Sequence, residues 1–371
     1  MAILLWILAK FEVKDCEGKQ LRIQQQFWTW ENIATILLFG AFYGVRYNVG
    51  PDNLMYIKIY EAFANGHVFR EDDLEAGYKF AQQLFNGLNL HYSIFIGFWG
   101  ALQIGFVYYA MRRYKYLLPF MSLFIILGPP FLTWANIMRQ AVVECAFILF
   151  VEFIVERKMW KYLIGVLLCT LIHKSAFLLI PFYFLLQRPV FPRKWWVSVI
   201  IVAVCTAIGS TPTFVEKLGF IDDVLKFLDY NQYQFDEVLK DSDNFRAWGP
   251  ARAGVWALSI LCCGLYPYLR STFRFNKQFD IYFCCFFFGT CLYELFANTQ
   301  QIFIRPLAYF RDCMVVVVPI CLYYITKTNI KPLFLLLFLL ACFNSIWWTV
   351  KAYLSGAGEK AFEVYKFFFL Q

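Results

Sequence analysis

Charge is scarce in this chain. Lysine, arginine, aspartate and glutamate make up 16% of 371 residues, where a soluble domain carries about 25%. A solvated globular enzyme is therefore excluded. Histidine is scarcer still, at three residues. The twelve cysteines fall mostly inside apolar runs, as in Cys262-Cys263 and Cys284-Cys285. No CxxC pair or Cys/His cluster has metal-ligand spacing, so they read as small buried hydrophobes, and neither a metal site nor a cofactor is expected. The net charge of +8 comes from short loops between apolar runs, not from one basic face, and does not imply nucleic acid as a partner. No low-complexity linker and no separate soluble domain stand out. The first ten residues lack the basic start and small-residue cleavage site of a signal peptide.

What is present is apolar: 60% of residues are hydrophobic and 21% aromatic. The pattern predicts an all-α polytopic membrane protein, one integral domain over 1–371. About nine full transmembrane helices are expected, near 27–44, 90–111, 116–134, 141–156, 195–210, 252–269, 279–297, 313–326 and 332–350. Met1–Ala9 is apolar but short, since nine helical residues reach only ~13 Å. The basic loops Arg112 to Lys115, Arg157 to Lys161, Arg188 to Lys194, Arg270 to Lys277 and Lys327 to Lys331 should share the cytoplasmic face.

The run from Lys161 to Arg188 breaks that rule if it is one span, because every later basic loop is then inverted. Two half-helices meeting at His173-Lys174 restore it. Each half reaches only ~18–20 Å. A re-entrant pair near 161–187 is therefore expected, with its turn buried in protein or lining a wet cavity.

That topology puts four segments on the external face. They are 45–89, which contains an interfacial helix, the loop around Arg139, the acidic amphipathic lid segment 211–250, and the loop carrying Arg305 and Arg311. In Arg46 to Tyr60, Gly50-Pro51 supplies a turn, Asp52 suits a helix start, and Asp52, Tyr56 and Tyr60 share a face at i, i+4, i+8. A capped helix with an interfacial tyrosine belt explains the same pattern. Arg139-Gln140 lies between two apolar runs, where a guanidinium either snorkels or binds phosphate. His173-Lys174 lies in apolar sequence, where a histidine is either a satisfied core residue or an acid–base group. Arg305 and Arg311 flank Tyr309 and are either interfacial anchors or anion ligands, with Glu294 able to pair with one of them. Glu144 and Glu152, inside an apolar run, suit the satisfaction of buried arginines. An excess of guanidinium around a cavity fits a multivalent anion, and a lipid-linked pyrophosphate meets that requirement.

These residues resemble the EpsG-type, Wzy-like bacterial polysaccharide polymerases. The resemblance rests on Arg46-x-x-x-Gly50-x-Asp52 with the tyrosines that follow, Glu75-Ala-Gly77-Tyr78-Lys79, Arg139-Gln140, His173-Lys-Ser-Ala176, Tyr230-Asn-Gln-Tyr233, Arg305 to Phe310, and the tail Tyr365 to Phe369. Pro51 and Ala76 depart from the family's usual residues.

The resemblance implies a glycosyltransferase similar to the membrane-embedded GT-C-like group, metal-independent, in the bacterial inner membrane with a periplasmic or external active face. Donor and acceptor would both be oligosaccharide repeat units on undecaprenyl pyrophosphate, for O-antigen, capsule or exopolysaccharide, with a separate chain-length regulator as a further partner. Arg139, Arg305 and Arg311 would clamp the donor pyrophosphate, with Arg46, Gln140 and Lys174 assisting. Asp52, or else Glu75, would be the general base, and His173 would orient or protonate the leaving phosphate. Tyr56, Tyr60, Tyr230, Tyr233 and Tyr309 would hold sugars. A glycan ligase using the same carrier, a flippase of an anionic lipid-linked sugar, and a membrane O-acyltransferase are the rivals.

Overall fold

A computed structural model describes residues 1–16, 26–50, 52–66, 74–211, 249–273, 275–297, 304–328, 330–355 and 366–370. The expected lid, with Tyr230 and Tyr233, lies almost wholly outside them. In chain order the helices are α1 (Ala2–Cys16), α2 (Trp30–Gly44), α3 (Asn53–Ala64), α4 (Ala76–Gly87), α5 (Tyr92–Ala110), α6 (Leu118–Leu127), α7 (Pro130–Asn136), α8 (Met138–Val155), α9 (Met159–Thr170), α10 (Phe182–Leu185), α11 (Trp195–Gly209), α12 (Pro250–Phe273), α13 (Lys277–Leu295), α14 (Ala308–Arg311), α15 (Met314–Ile325) and α16 (Pro332–Ser355). Among the described residues the only strands are β1 (Arg46–Tyr47) and β2 (Lys366–Phe367), paired antiparallel with Arg46 opposite Phe367.

Among the described residues, three helical stretches are long and apolar enough to cross a membrane: Tyr92–Ala110, Arg305–Ile325 and Pro332–Leu354. Lys115–Leu127 and Pro130–Asn136, bent by 59°, make a fourth if they form one span. The remaining runs are helical near the expected places but are shorter or carry charge. Both α2 and α11 have 15 residues. Although α8 has 18, Arg139, Glu144 and Glu152 lie on it. The outer face of α16 leaves Leu333, Leu336, Leu340, Phe343 and Trp347 exposed, as suits a helix that meets lipid.

The described residues form two compact units, Met1–Arg188 with Val318–Ile330 and Phe343–Gln371, and Pro189–Val317 with Lys331–Cys342. In the first, α2 crosses α5 at glycines. A Cβ on Gly40 would stand 2.8 Å from the Gly97 carbonyl oxygen, and one on Gly97 2.7 Å from that of Gly40. Only residues without a side chain allow such a crossing. The first helix outruns its apolar stretch because Glu12, buried, is satisfied: it pairs with Lys115 and accepts from Thr29 Oγ1 at 2.6 Å and Asn32 Nδ2 at 3.4 Å.

The basic loops after α5 and α8 share one end of this unit. Arg112 donates to Glu152 at 2.6 and 2.8 Å, and Arg113 lies 3.1 Å from Glu156. From that end α9 runs inward, the chain turns at 171–173, and a 3₁₀ helix (Lys174–Leu179) with α10 returns. Gln187 then donates to the Ile154 carbonyl at 3.4 Å, and Arg157, Tyr183, Gln187 and Arg188 line one cavity. The segment thus begins and ends at the same end of the unit.

In the second unit, Pro267 interrupts α12 and frees the Cys263 carbonyl of its helical donor. Ser198 Oγ on α11 donates to that carbonyl at 3.3 Å.

Candidate active site

The site of the first unit is built on the break between α7 and α8. Ile137 sits between them with φ −96° and ψ 47°. A break inside apolar protein leaves carbonyls that need donors. Tyr43 Oη donates to the Trp134 carbonyl at 2.7 Å. Gln103 Nε2 donates to the Met138 carbonyl at 3.2 Å and to Tyr43 Oη at 3.1 Å. Helices α2 and α5 thereby fix the break, and Arg139 leaves it in the first turn of α8.

The start of α4 docks on the end of α9. The amides of Gly77 and Tyr78 donate to the Leu171 carbonyl at 2.8 and 3.3 Å. A Cβ on Gly77 would stand 2.8 Å from that oxygen, so the approach requires glycine. The contact lowers Glu75, the residue just before α4, into the turn. One carboxylate oxygen accepts from His173 Nδ1 at 3.1 Å and from the Lys174 amide at 3.0 Å. The other pairs with Arg139. Burial alone would raise the Glu75 carboxyl. The His173 hydrogen bond, the charges of Arg139 and His173 and the Lys174 amide outweigh it and hold the carboxyl below its ordinary range. An ionised carboxylate only accepts, so Nδ1 of His173 carries a proton, and Nε2 is the ring nitrogen that Glu75 leaves free of contact.

Arg46 is fully buried. Its Nε donates to the Tyr43 carbonyl at 3.1 Å, and its guanidinium lies 4.3 Å over the Tyr43 ring. Its two terminal nitrogens have no hydrogen-bond partner among the described residues. The loop that follows turns through left-handed backbone at Asn48 and Gly50. Tyr43 thus joins the two arginines: its ring underlies Arg46 and its hydroxyl braces the break that launches Arg139.

The other expected residues divide. Asp52 stands at the N-cap of α3 but makes no side-chain cap bond. Its amide donates to Asn136 Oδ1 at 3.0 Å, which ties α3 to the break. Tyr56 is buried and lies near Arg139 and Tyr78. Tyr60 is absorbed in packing: its ring stacks on Phe95 at 4.8 Å and its hydroxyl donates to the Leu90 carbonyl at 2.8 Å. Lys174 contributes its amide while its side chain is exposed. Buried Gln140 donates to Glu144 at 2.8 Å. Glu152 satisfies arginines, Arg112 and Arg113.

In the second unit, Arg305 opens a 3₁₀ turn and Arg311 lies 3.6 Å over the Tyr293 ring. Tyr309 is buried. The expected pairing of Glu294 with Arg305 or Arg311 is replaced by Arg252 at 3.3 Å, with the Thr206 hydroxyl at 3.5 Å. Arg252 is one helical turn into α12, within reach of the end of α13, a neighbour that sequence order does not show.

Sequence reasoning missed Tyr43, Gln103 and Tyr78 as site residues. Gln103 had a visible signal, an amide in an otherwise apolar run. Tyr43 is one tyrosine of 23 and had none. Tyr78 carries the Arg139 guanidinium 5.3 Å over its ring and stacks on Trp99 at 5.4 Å.

The EpsG family model matches residues 32–367, which includes every residue of this site, and the chain belongs to that family. No curated protein and no solved structure matches it.

Proposed function

We propose that this EpsG-family protein is a polysaccharide polymerase of the bacterial inner membrane. It joins oligosaccharide repeat units carried on undecaprenyl pyrophosphate at a periplasmic or external face, as a membrane-embedded, GT-C-like glycosyltransferase. The observation that carries this reading is the meeting of Glu75, Arg139 and His173, drawn from three distant segments, with the buried guanidinium of Arg46 tied through Tyr43 to the break that launches Arg139.

A buried guanidinium with two unsatisfied nitrogens costs several kcal/mol, by the usual magnitude for desolvated charge. An anion with several oxygens satisfies it, and arginine matches phosphate in a bidentate manner. In this role Arg46 is the principal pyrophosphate ligand in the first unit. Arg139, already paired with Glu75, is a positioning residue that also offers its remaining donors. Arg305 and Arg311, in the second unit, are candidate anion ligands of that unit.

The acceptor hydroxyl oxygen attacks the anomeric carbon of the donor. The bond from that carbon to the phosphate oxygen breaks, and the carrier pyrophosphate leaves with the electron pair. His173 Nε2 takes the hydroxyl proton. Glu75 holds the ring through Nδ1 and stabilises the imidazolium, as a carboxylate does in other acid–base pairs. This assigns the base to His173, with Glu75 behind it, and leaves Asp52 as a ligand for an acceptor hydroxyl. Guanidinium groups bear the leaving charge, so the reaction calls on no metal ion.

Incubating the purified protein with lipid-linked repeat units tests the class directly. A polymerase yields a ladder of lengths. A single transfer product would make the protein a ligase, and no product would leave a transporter.

A further inference from the structure

At the turn between α12 and α13, the second unit holds a half-open cavity of about 760 Å³. Among its lining residues are Arg193, Tyr266, Arg270, Lys277 and Asp280. The only carboxylate among them is spent: Asp280 accepts from Arg270 Nε at 2.9 Å, Arg270 Nη2 at 3.0 Å and Tyr266 Oη at 2.7 Å. Among the described residues neither Arg193 nor Lys277 has an ion-pair partner. The lining therefore carries an uncompensated double positive charge. Its floor is aromatic, with Phe191 against Tyr266 at 4.3 Å and against Phe287 at 4.9 Å.

The position of this charge is informative. The cavity lies where α12 ends and α13 begins, and beside it Trp195 and Trp196 are 60% and 45% exposed. Exposed tryptophans next to basic residues at helix ends mark the level of lipid headgroups. A basic pocket between apolar helices at that level suits the phosphate of an anionic lipid.

We propose that this cavity binds the phosphate headgroup of an anionic membrane phospholipid, a site separate from the one assigned to the sugar carrier. Arg193 and Lys277 contact the phosphate. Arg270, held by Asp280, shapes the wall.

Native mass spectrometry of the full-length protein, released from nanodiscs of phosphatidylcholine with or without phosphatidylglycerol, tests this. Retained phosphatidylglycerol is expected in preference to phosphatidylcholine. The double variant Arg193→Gln/Lys277→Gln should retain it about thirtyfold less, the effect of ~1 kcal/mol for each of two surface cations, with an unchanged melting temperature. Should that variant not fold, a photoreactive phosphatidylglycerol on the wild-type protein should label 189–193 and 266–280. Millimolar inorganic phosphate should not displace the lipid. Equal retention of both lipids, an unaffected folded variant, labelling elsewhere, or displacement by free phosphate would overturn the proposal.

Discussion

Glu75 and Arg139 form an ion pair across 64 residues of sequence. The pair joins the start of α4 to α8, the helix that starts at the α7–α8 break. The same carboxylate reaches His173, so one side chain gathers three segments. Removing it disconnects all of them.

Replacing either partner should therefore be costly. Glu75→Ala or Arg139→Ala alone should destabilise by ~3–5 kcal/mol, the usual effect of leaving a buried charge unpaired. The double variant should cost less than the sum. Thermal unfolding of all three proteins in one detergent gives the coupling energy, and strict additivity would contradict the pair.

Acid should act through Glu75. Its folded-state carboxyl is held below the ordinary value of about 4.3, so its contribution is complete above that value. It is lost as pH falls through the folded value. Melting temperature should drop more steeply for wild type than for Glu75→Gln between about pH 5 and about pH 3. Parallel curves would contradict the depressed carboxyl.

Gly77 tests the docking of α4. A methyl group there meets the Leu171 carbonyl, so Gly77→Ala should cost ~1–3 kcal/mol, as overpacking does, and should reduce activity by displacing Glu75. Gly87→Ala, on the same helix with nothing within 4 Å of the new methyl, should leave both unchanged. Equal behaviour of the two variants in thermal melts would refute the close approach.

Glu152 separates structure from chemistry. It braces Arg112 and Arg113 at the opposite end of the first unit from the site. Glu152→Gln should lose ~1.5–3 kcal/mol, the range for hydrogen bonds to charged groups, yet give the same product lengths as wild type. An altered length distribution would place it in the reaction.

Much of this was legible in the sequence because membrane helices advertise themselves by apolar length, and charges that interrupt them are rare enough to count. Arg46, Arg139 and His173 stood out for that reason, and Glu75 through the family resemblance. Their pairing was not legible. Glu75 meets Arg139 through the Gly77 contact with Leu171, and nothing in either segment names the other. Burial was equally hidden. Tyr60 shares a helix face with Tyr56, but Phe95 and the Leu90 carbonyl, from α5 and the turn before it, decide that Tyr60 packs. The length of α1 was misjudged because Glu12 and Lys115 look like separate boundary charges until they pair. Glu294 was open to Arg305 or Arg311 in the sequence, and Arg252 takes it.

The central claim is that Glu75 and His173 act as one acid–base unit in glycosyl transfer from a lipid pyrophosphate. The direct measurement counts undecaprenyl pyrophosphate released against glycosidic bonds formed, for wild type and for His173→Asn with its fold confirmed by thermal melting. Wild type should release one carrier per bond while a ladder grows. His173→Asn should form neither at a comparable rate, with a loss of at least ~10²-fold, the usual share of general acid–base catalysis. Wild-type rates from folded His173→Asn, or bonds formed without carrier release, would contradict the account.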